Sequence, residues 1–235
     1  MKYVVDAHTH TIASGHAYNT ICEMALAGKK CGLELLGITE HAPAMPGTCH
    51  EFYFQNFRIV DRNAYAIPIL LGSELNILDE NGSVDLDSEL LKQLDYNIAS
   101  LHPPCISFMD KHRITKTILR VLENPDIHII GHLDDARFEV DYDAVVRAAR
   151  DTHTLLEVNN SSLLPTSYRP NARENYKVML AACEKYHVSV ILNSDAHADS
   201  IVGRHDESQS LVEELHFPEE LIVNTSVEKF KAYLK

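Results

Sequence analysis

The sequence lacks the features that tie a chain to a membrane. It contains no run of about 18 consecutive apolar residues, the minimum for a spanning helix. Its first residues, MKYVVDAH, also lack the apolar stretch of about 7–15 residues found in a signal peptide. We therefore expect no membrane partner and a cytoplasmic location.

Cysteine, glycine and proline are too scarce to define the protein class by themselves. The 5 cysteines are scattered and form no C-x-x-C pair, which favours free thiols in a reducing compartment. With 9 glycines and 9 prolines in 235 residues, the chain is neither fibrous nor disordered in composition. This length suits one compact domain.

Positive charge is also in short supply. The chain has 21 Lys and Arg against 34 Asp and Glu, a formal net charge of −13. This balance argues against a general nucleic-acid partner, because such binding depends on a cationic surface. Some of the carboxylates would be metal ligands. In that case the charge of the bound cations would cancel part of the negative net charge.

Short apolar runs alternate with helical patterns along the chain. Strands are predicted at residues 3–6, 35–39, 67–72, 96–101, 127–131, 154–158 and 188–192. Helices are predicted at residues 20–30, 86–94, 114–123, 142–151, 172–186, 207–215 and 227–234, the first capped by Thr20 and followed by Gly32. The alternation predicts an α/β fold with a parallel sheet, and seven strands fit a (β/α) barrel better than an open sheet.

Each predicted strand leads into polar residues, and most of them are of metal-binding types. The candidate ligands are His8, His10, His16, His41, Glu74, His102, His132, Asp195 and His197. Because active sites of parallel α/β folds lie at the carboxyl edge of the strands, we predict a metal cluster there. Asn159 and Asn160 follow the sixth strand, either as turn formers or as residues lining the pocket.

The spacing and types of these residues agree with metal binding. In H-x-H on a strand both side chains point the same way, so His8 and His10 can hold one ion. Imidazole mixed with carboxylate suits zinc, manganese or iron better than calcium or magnesium. At about three or four protein ligands per ion, the set fits two or three ions.

These motifs resemble the polymerase-and-histidinol-phosphatase (PHP) superfamily. The resemblance rests on D-x-H-x-H at 6–10, T-E-H at 39–41, Glu74, H-P at 102–103, G-H at 131–132 and S-D-A-H at 194–197. SGHAYNT at 14–20 and EVNNSS at 157–162 bring the chain closer to the stand-alone bacterial phosphatases of the YcdX type. The resemblance implies one PHP-type catalytic domain over 1–235, a distorted, TIM-like (β/α)7 barrel. It also implies three divalent ions, usually zinc, with manganese or iron(II) as alternatives.

The resemblance also distributes the ligands. The first ion would take His8, His10, Glu74 and Asp195, the second Glu74, His102 and His132, and the third His16, His41 and His197. Glu74 would bridge two ions, and Glu74, Asp195 and His197 are the expected catalytic residues. The chain departs from the family at Glu40, commonly Asp, and at Leu-Asp-Asp after His132, where the branch often has Pro. Asp134 and Asp135 themselves are expected to be solvated loop charges.

The implied function is a phosphomonoesterase for small phosphorylated metabolites. Histidinol phosphate is the most specific substrate that the resemblance suggests, but the short chain favours a broader specificity. Clustered ions can activate a water as hydroxide for attack on phosphorus and absorb charge on the phosphate oxygens. No P-loop motif GxxxxGK[ST] is present to bind phosphate in another way. The candidate phosphate or substrate contacts are Arg58, Asn159, Arg169 and Arg204, with Arg169 preferred.

Three other functions fit a metal cluster on a barrel. A nuclease-like phosphodiesterase is disfavoured by the acidic balance. An amidohydrolase-type enzyme commonly bridges its ions with a modified lysine, and no Lys stands at a predicted strand end. A binding-only module would be free to lose ligands, and this set is intact. Apolar helix faces near the C-terminus permit a homodimer or homotrimer.

Overall fold

A barrel of seven parallel strands forms the centre of the computed structural model, which describes residues 1–234. The strands pair in chain order, β1 with β2 and so on to β7. They are β1 Val5–Asp6, β2 Leu35–His41, β3 Ile69–Asn76, β4 Asn97–Ser100, β5 Ile129–Ile130, β6 Leu155–Asn159 and β7 Val190–Asn193. The predicted α/β barrel is thereby confirmed.

The first and last strands close the barrel through scattered contacts and not through a continuous ladder. A single parallel bridge joins Thr9 to Ala196. The Asn193 side chain accepts the Ala7 N–H at 2.9 Å, and the Asp6 carboxylate accepts the Ser194 N–H at 3.1 Å. These contacts hold the two chain segments that carry the early and late ligands side by side.

Helices surround the barrel. They are α1 Ile21–Cys31, α2 Glu51–Gln55, α3 Ser88–Leu91, α4 Lys111–Leu122, α5 Tyr142–Thr152, α6 Asn160–Leu163, α7 Ala172–Tyr186, α8 Asp206–Glu214 and α9 Val227–Lys231. The Thr20 hydroxyl and the Glu23 carboxylate form a capping box at the start of α1, and Gly32 ends the helix with a φ of 83°. None of the helices in residues 1–234 is long and apolar enough to cross a membrane.

The inner face of the barrel changes from apolar to polar along the strands. Leu155 belongs to an inner apolar cluster that also includes Tyr96, Ile98 and Phe230. Because side chains alternate along a strand, Glu157 and Asn159 share the inner face with Leu155. The amino end of the barrel is therefore filled by apolar side chains, and its carboxyl end is left to polar ones.

Several predicted boundaries were wrong in ways that matter little to the sheet. The third strand runs to Asn76, so Glu74 lies inside the strand and not beyond its end. The helix predicted at 86–94 is only one turn, Ser88–Leu91, and α2 and α6 were not predicted. A tight turn at 79–82 follows β3, and Ile77 bridges Val84 in antiparallel fashion across it.

Gly37 in β2 offers a test of packing inside the barrel. A Cβ there would lie 1.8 Å from the Tyr96 Oη, whose hydroxyl donates to the Ala7 carbonyl at 2.6 Å. Gly37→Ala should therefore lower the free energy of unfolding by about 1–3 kcal/mol, measured by denaturant titration. Combined with Tyr96→Phe, which removes the obstructing oxygen, the loss should be smaller than the sum of the two single losses. Strictly additive losses would contradict this packing.

Candidate metal centre and active site

The structure brings all nine predicted ligands into one cluster at the carboxyl end of the barrel. Four of them surround a common point: the Nε2 atoms of His8 and His10 lie 3.4 and 3.5 Å from Glu74 Oε2, and 3.6 and 3.3 Å from Asp195 Oδ1. Tetrahedral ligands of a zinc-like ion lie about 3.3–3.6 Å apart, given metal–ligand bonds of about 2.0–2.2 Å. The first predicted ligand group therefore has the spacing of a tetrahedral metal site.

The two oxygens of Glu74 face different histidines. Its Oε1 lies 3.2 Å from His102 Nε2 and 2.9 Å from His132 Nε2. Its Oε2 faces His8 and His10 and lies 2.7 Å from His41 Nδ1. One carboxylate thus presents an oxygen to each of two neighbouring groups, as a bridging ligand must.

The remaining ligands extend the cluster towards solvent. His16 Nε2 and His197 Nε2 lie 3.1 Å apart, and the His41 ring stacks on His16 with centroids 4.9 Å apart. Ligand atoms of His10, His41 and His197 also lie within 4.8 Å of one another, as do those of His41, Glu74 and His102. Because His10 and His41 are shared between groups, the ligands form one continuous cluster.

Unpartnered atoms show that this cluster fits metal ions. In residues 1–234, nine buried side-chain polar atoms have no hydrogen-bond partner, and six of them belong to the predicted ligands. They are His8 Nε2, His10 Nε2, His41 Nδ1, Glu74 Oε2, Asp195 Oδ1 and His132 Nδ1. His41 Nδ1 and Glu74 Oε2 lie 2.7 Å apart without forming a hydrogen bond, and His132 faces Glu74 through its other nitrogen, Nε2. Burying so many polar atoms without partners is costly, and divalent cations bound among them would remove that cost.

Hydrogen bonds at the far side of three histidines prepare them for metal binding. His8 Nδ1 lies 2.7 Å from Glu157 Oε1, and His102 Nδ1 lies 2.7 Å from Asn76 Oδ1. His10 Nδ1 lies 3.1 Å from the Ser14 hydroxyl. A proton held at Nδ1 leaves the Nε2 lone pair free to bind a metal and fixes the ring orientation.

Glu157 is a site residue that the sequence analysis missed. Its Oε1 accepts from Asn193 Nδ2 at 2.9 Å and pairs with His8, while its Oε2 accepts the His132 N–H at 2.9 Å. The backbone of His132 has a φ of 24°, so this bond holds a ligand in a conformation rare outside glycine. A charged residue inside the apolar run LLEVN was the available signal.

Glu40, the first departure from the family pattern, lies behind His10. The Ser14 hydroxyl donates to Glu40 Oε2 at 2.6 Å and accepts the His41 N–H at 3.0 Å. Glu40 also accepts the Thr11 N–H at 3.0 Å. A fully buried carboxylate thus fixes, through one hydroxyl, the segment between the ligands His10 and His16.

For Glu74, Asp195 and His102 the electrostatics favour the protonation states that bind metal. At His8, burial lowers the pKa, but Glu157, Glu74 and Asp195 raise it well above its usual value. Burial raises the pKa of Glu74, but His8, His41 and His102 together hold that pKa well below its usual range. Burial likewise opposes the histidines around Asp195, which keep the pKa of its carboxyl well below its usual range. Burial lowers the pKa of His102 to about 4. At neutral pH both carboxylates are ionised and His102 is a neutral ligand.

A cavity of about 310 Å³ opens onto the cluster. Six of the ligands line it: His16, His41, Glu74, His102, Asp195 and His197. Arg169, Arg137, Tyr168 and the Pro103–Pro104 pair complete the wall, together with Met45. Among these described lining residues there is no Ser, Thr or Cys.

The structure places the four predicted substrate residues in different surroundings. Arg169 lines the cavity, with Nη2 3.7 Å from Asp195 Oδ2. Asn159 is fully buried, and its amide donates to Glu157 and Asp195, so it supports carboxylates instead of lining the cavity. The structure does not bring Arg58 to this cavity, because Arg58 lines a separate cleft with Phe52 and Asp87. Arg204 pairs with Asp206 at the surface.

Glu157→Gln tests whether the buried carboxylates tune the ligands. The change keeps the shape but removes the charge that holds the His8 ring, so metal affinity should fall about 10–100-fold. Competition with a chelator of known affinity measures this. Glu34→Gln is the control, since Glu34 pairs only with Lys2 in an exposed ion pair. Equal affinity in both variants would contradict the role of Glu157.

Comparison with known proteins agrees with the motifs. A probable phosphatase of Clostridium novyi is 40% identical over 237 residues, covering 100% of this chain and 96% of the relative. A probable phosphatase of Caldicellulosiruptor bescii is 43% identical over 231 residues, covering 98% and 95%.

Solved structures show the same fold. Histidinol phosphate phosphatase from Lactococcus lactis, complexed with zinc, L-histidinol and phosphate, matches with a TM-score of 0.62 at 18% identity, covering 92% of this chain and 95% of the other. A chain of archaeal ribonuclease P with mature tRNA matches at 0.58 and 12% identity, covering 97% and 87%. The model of the PHP domain matches residues 6–163. The chain therefore belongs to the PHP domain family, as its motifs indicate.

Proposed function

We propose that the protein is a metal-dependent phosphomonoesterase that hydrolyses small phosphorylated metabolites. The observation that carries this proposal is the nine-ligand cluster opening into a cavity that Arg169 also lines. A volume of about 310 Å³ lies at the lower end of small-molecule sites and suits a small monoester better than a nucleic-acid strand.

The ligand set supports three divalent ions, with zinc as the preferred metal. His8, His10, Glu74 and Asp195 would hold the first, Glu74, His102 and His132 the second, and His16, His41 and His197 the third. Imidazole-rich sets with few carboxylates suit zinc, although manganese and iron(II) also accept them. The Lactococcus enzyme, which shares the fold, is complexed with zinc and phosphate.

The metal ligands and Arg169 have separate roles in the proposed hydrolysis. Ions bound in the cluster would supply Lewis acidity that lowers the pKa of water and neutralises phosphate charge. Arg169 binds a phosphate oxygen, because a guanidinium matches phosphate geometry and stays charged. Glu74, Asp195 and His197 line the cavity, where they would lie beside the reacting group. Since no Ser, Thr or Cys is among the described lining residues, water is the proposed nucleophile. Its oxygen bonds to phosphorus, the ester P–O bond breaks, and the alcohol leaves with a proton that comes from this water.

Phosphate release from a small monoester tests the proposal. Metal-stripped protein should be inactive towards p-nitrophenyl phosphate, and zinc or manganese should restore turnover. His10→Ala should abolish the restored activity, because His10 Nε2 contributes to the group around Glu74 and Asp195. Metal binding without monoester hydrolysis would refute the proposal, and diester and amide substrates would then separate the alternatives.

Arg169→Ala tests the phosphate contact. Losing one charged donor should lower kcat/KM about 100-fold and weaken inhibition by inorganic phosphate, while metal content stays unchanged. Arg204→Ala is the matched control, because Arg204 is exposed and pairs only with Asp206. Kinetic constants for Arg169→Ala equal to those of the control would exclude this role.

A further inference from the structure

Arg169 is held in an unusual position for a surface-loop arginine. It follows α6 in the loop before α7, yet its side chain is only 7% exposed. Its Nη1 donates to the Ser162 hydroxyl at 2.8 Å, and its Nη2 stands 3.7 Å from Asp195 Oδ2. The second distance exceeds that of a hydrogen bond, so the guanidinium does not close onto the carboxylate.

The direction of the hydrogen bonds leads from Arg169 to Asp134. A guanidinium only donates, so the Ser162 oxygen accepts from Arg169 and must give its own proton elsewhere. That proton goes to Asp134 Oδ1 at 3.1 Å. Ser162 therefore connects a cation to a buried carboxylate through one hydroxyl.

Asp134 is itself fixed from several sides. The Tyr176 hydroxyl donates to Asp134 Oδ1 at 2.6 Å and accepts the Asn159 N–H at 2.8 Å. The Asp134 carbonyl accepts from Asn175 Nδ2 at 2.7 Å. The side chain is fully buried, so the expectation of a solvated loop charge was wrong. Its other oxygen, Oδ2, has no hydrogen-bond partner among the described residues.

We propose that Asp134, acting through Ser162, is a positioning residue that holds the Arg169 guanidinium at the cavity wall, ready for a phosphate oxygen. The inference rests on the phosphate role of Arg169 in the proposed function. Its physical basis is a balance between two carboxylates. Held through Ser162, the Arg169 guanidinium does not close onto Asp195, so its Nη2 keeps a donor for a phosphate oxygen.

Calorimetric titration of zinc-loaded protein with inorganic phosphate tests the proposal without requiring turnover. Asp134→Asn and Ser162→Ala should each weaken phosphate binding about tenfold, the effect expected when a charged donor loses its alignment. Ser162→Thr, which retains the hydroxyl, should bind as the unaltered protein does. Metal content should be the same in all variants.

A matched control separates positioning from general loss of structure. Tyr142→Phe removes the hydrogen bond to the Leu133 carbonyl in the same loop, without touching Arg169. It should lower the melting temperature and leave phosphate affinity unchanged. If Tyr142→Phe weakens phosphate binding as much as Asp134→Asn does, the positioning role is overturned.

A double-mutant cycle gives the sharpest outcome. In an Arg169→Ala background, Asp134→Asn should have no further effect on phosphate affinity. An undiminished effect there, or a loss of bound zinc in Asp134→Asn, would show that Asp134 acts through His132 or the metal and would overturn the inference. If the phosphate affinities of the variants agree with this cycle but the protein hydrolyses no monoester, the proposed function is refuted. The positioning role of Asp134 then still stands.

Discussion

One buried carboxylate organises the functional end of this protein. Glu74 has ring nitrogens of five histidines within 3.5 Å, divided between its two oxygens. An ionised carboxylate in such a place would be expensive without cations, and five imidazoles without metal would leave lone pairs buried. Bound metal ions would neutralise the carboxylate and accept the imidazole lone pairs at the same time. The ligand cluster and its metal ions therefore form one functional unit.

A second layer of buried carboxylates surrounds this unit. Glu157 fixes His8, Glu40 fixes His10 through Ser14, and Asp134 reaches Arg169 through Ser162. In two of the three cases a serine hydroxyl links the carboxylate to the group that it orients. Because the hydroxyl has a single proton, which it donates to the carboxylate, its oxygen must accept the hydrogen bond from the oriented group. The negative net charge of the protein thus reflects, in part, buried carboxylates that orient the predicted metal ligands and Arg169.

The sequence predicted the elements that rest on local rules. The capping box at Thr20 and the strand-end histidines were predictable, because helix caps and the carboxyl edge of parallel strands follow from short-range pattern. Glu157 was not predicted, because it lies inside strand β6 and the prediction considered only polar residues at the strand ends. Asp134 was misjudged because its burial depends on α6 and α7, far along the chain, which cover the loop after β5.

The central claim is that Glu74 bridges two metal ions, and the metal content of Glu74→Gln tests it most directly. Elemental analysis after equilibration with zinc should show that this variant has lost more than one ion per chain. Asp195→Asn is the comparison, because the proposed ligand assignment gives Asp195 to one ion alone, with His8, His10 and Glu74, and it should lose at most one. Retention of all ions by Glu74→Gln, or a loss no greater than in Asp195→Asn, would contradict the account.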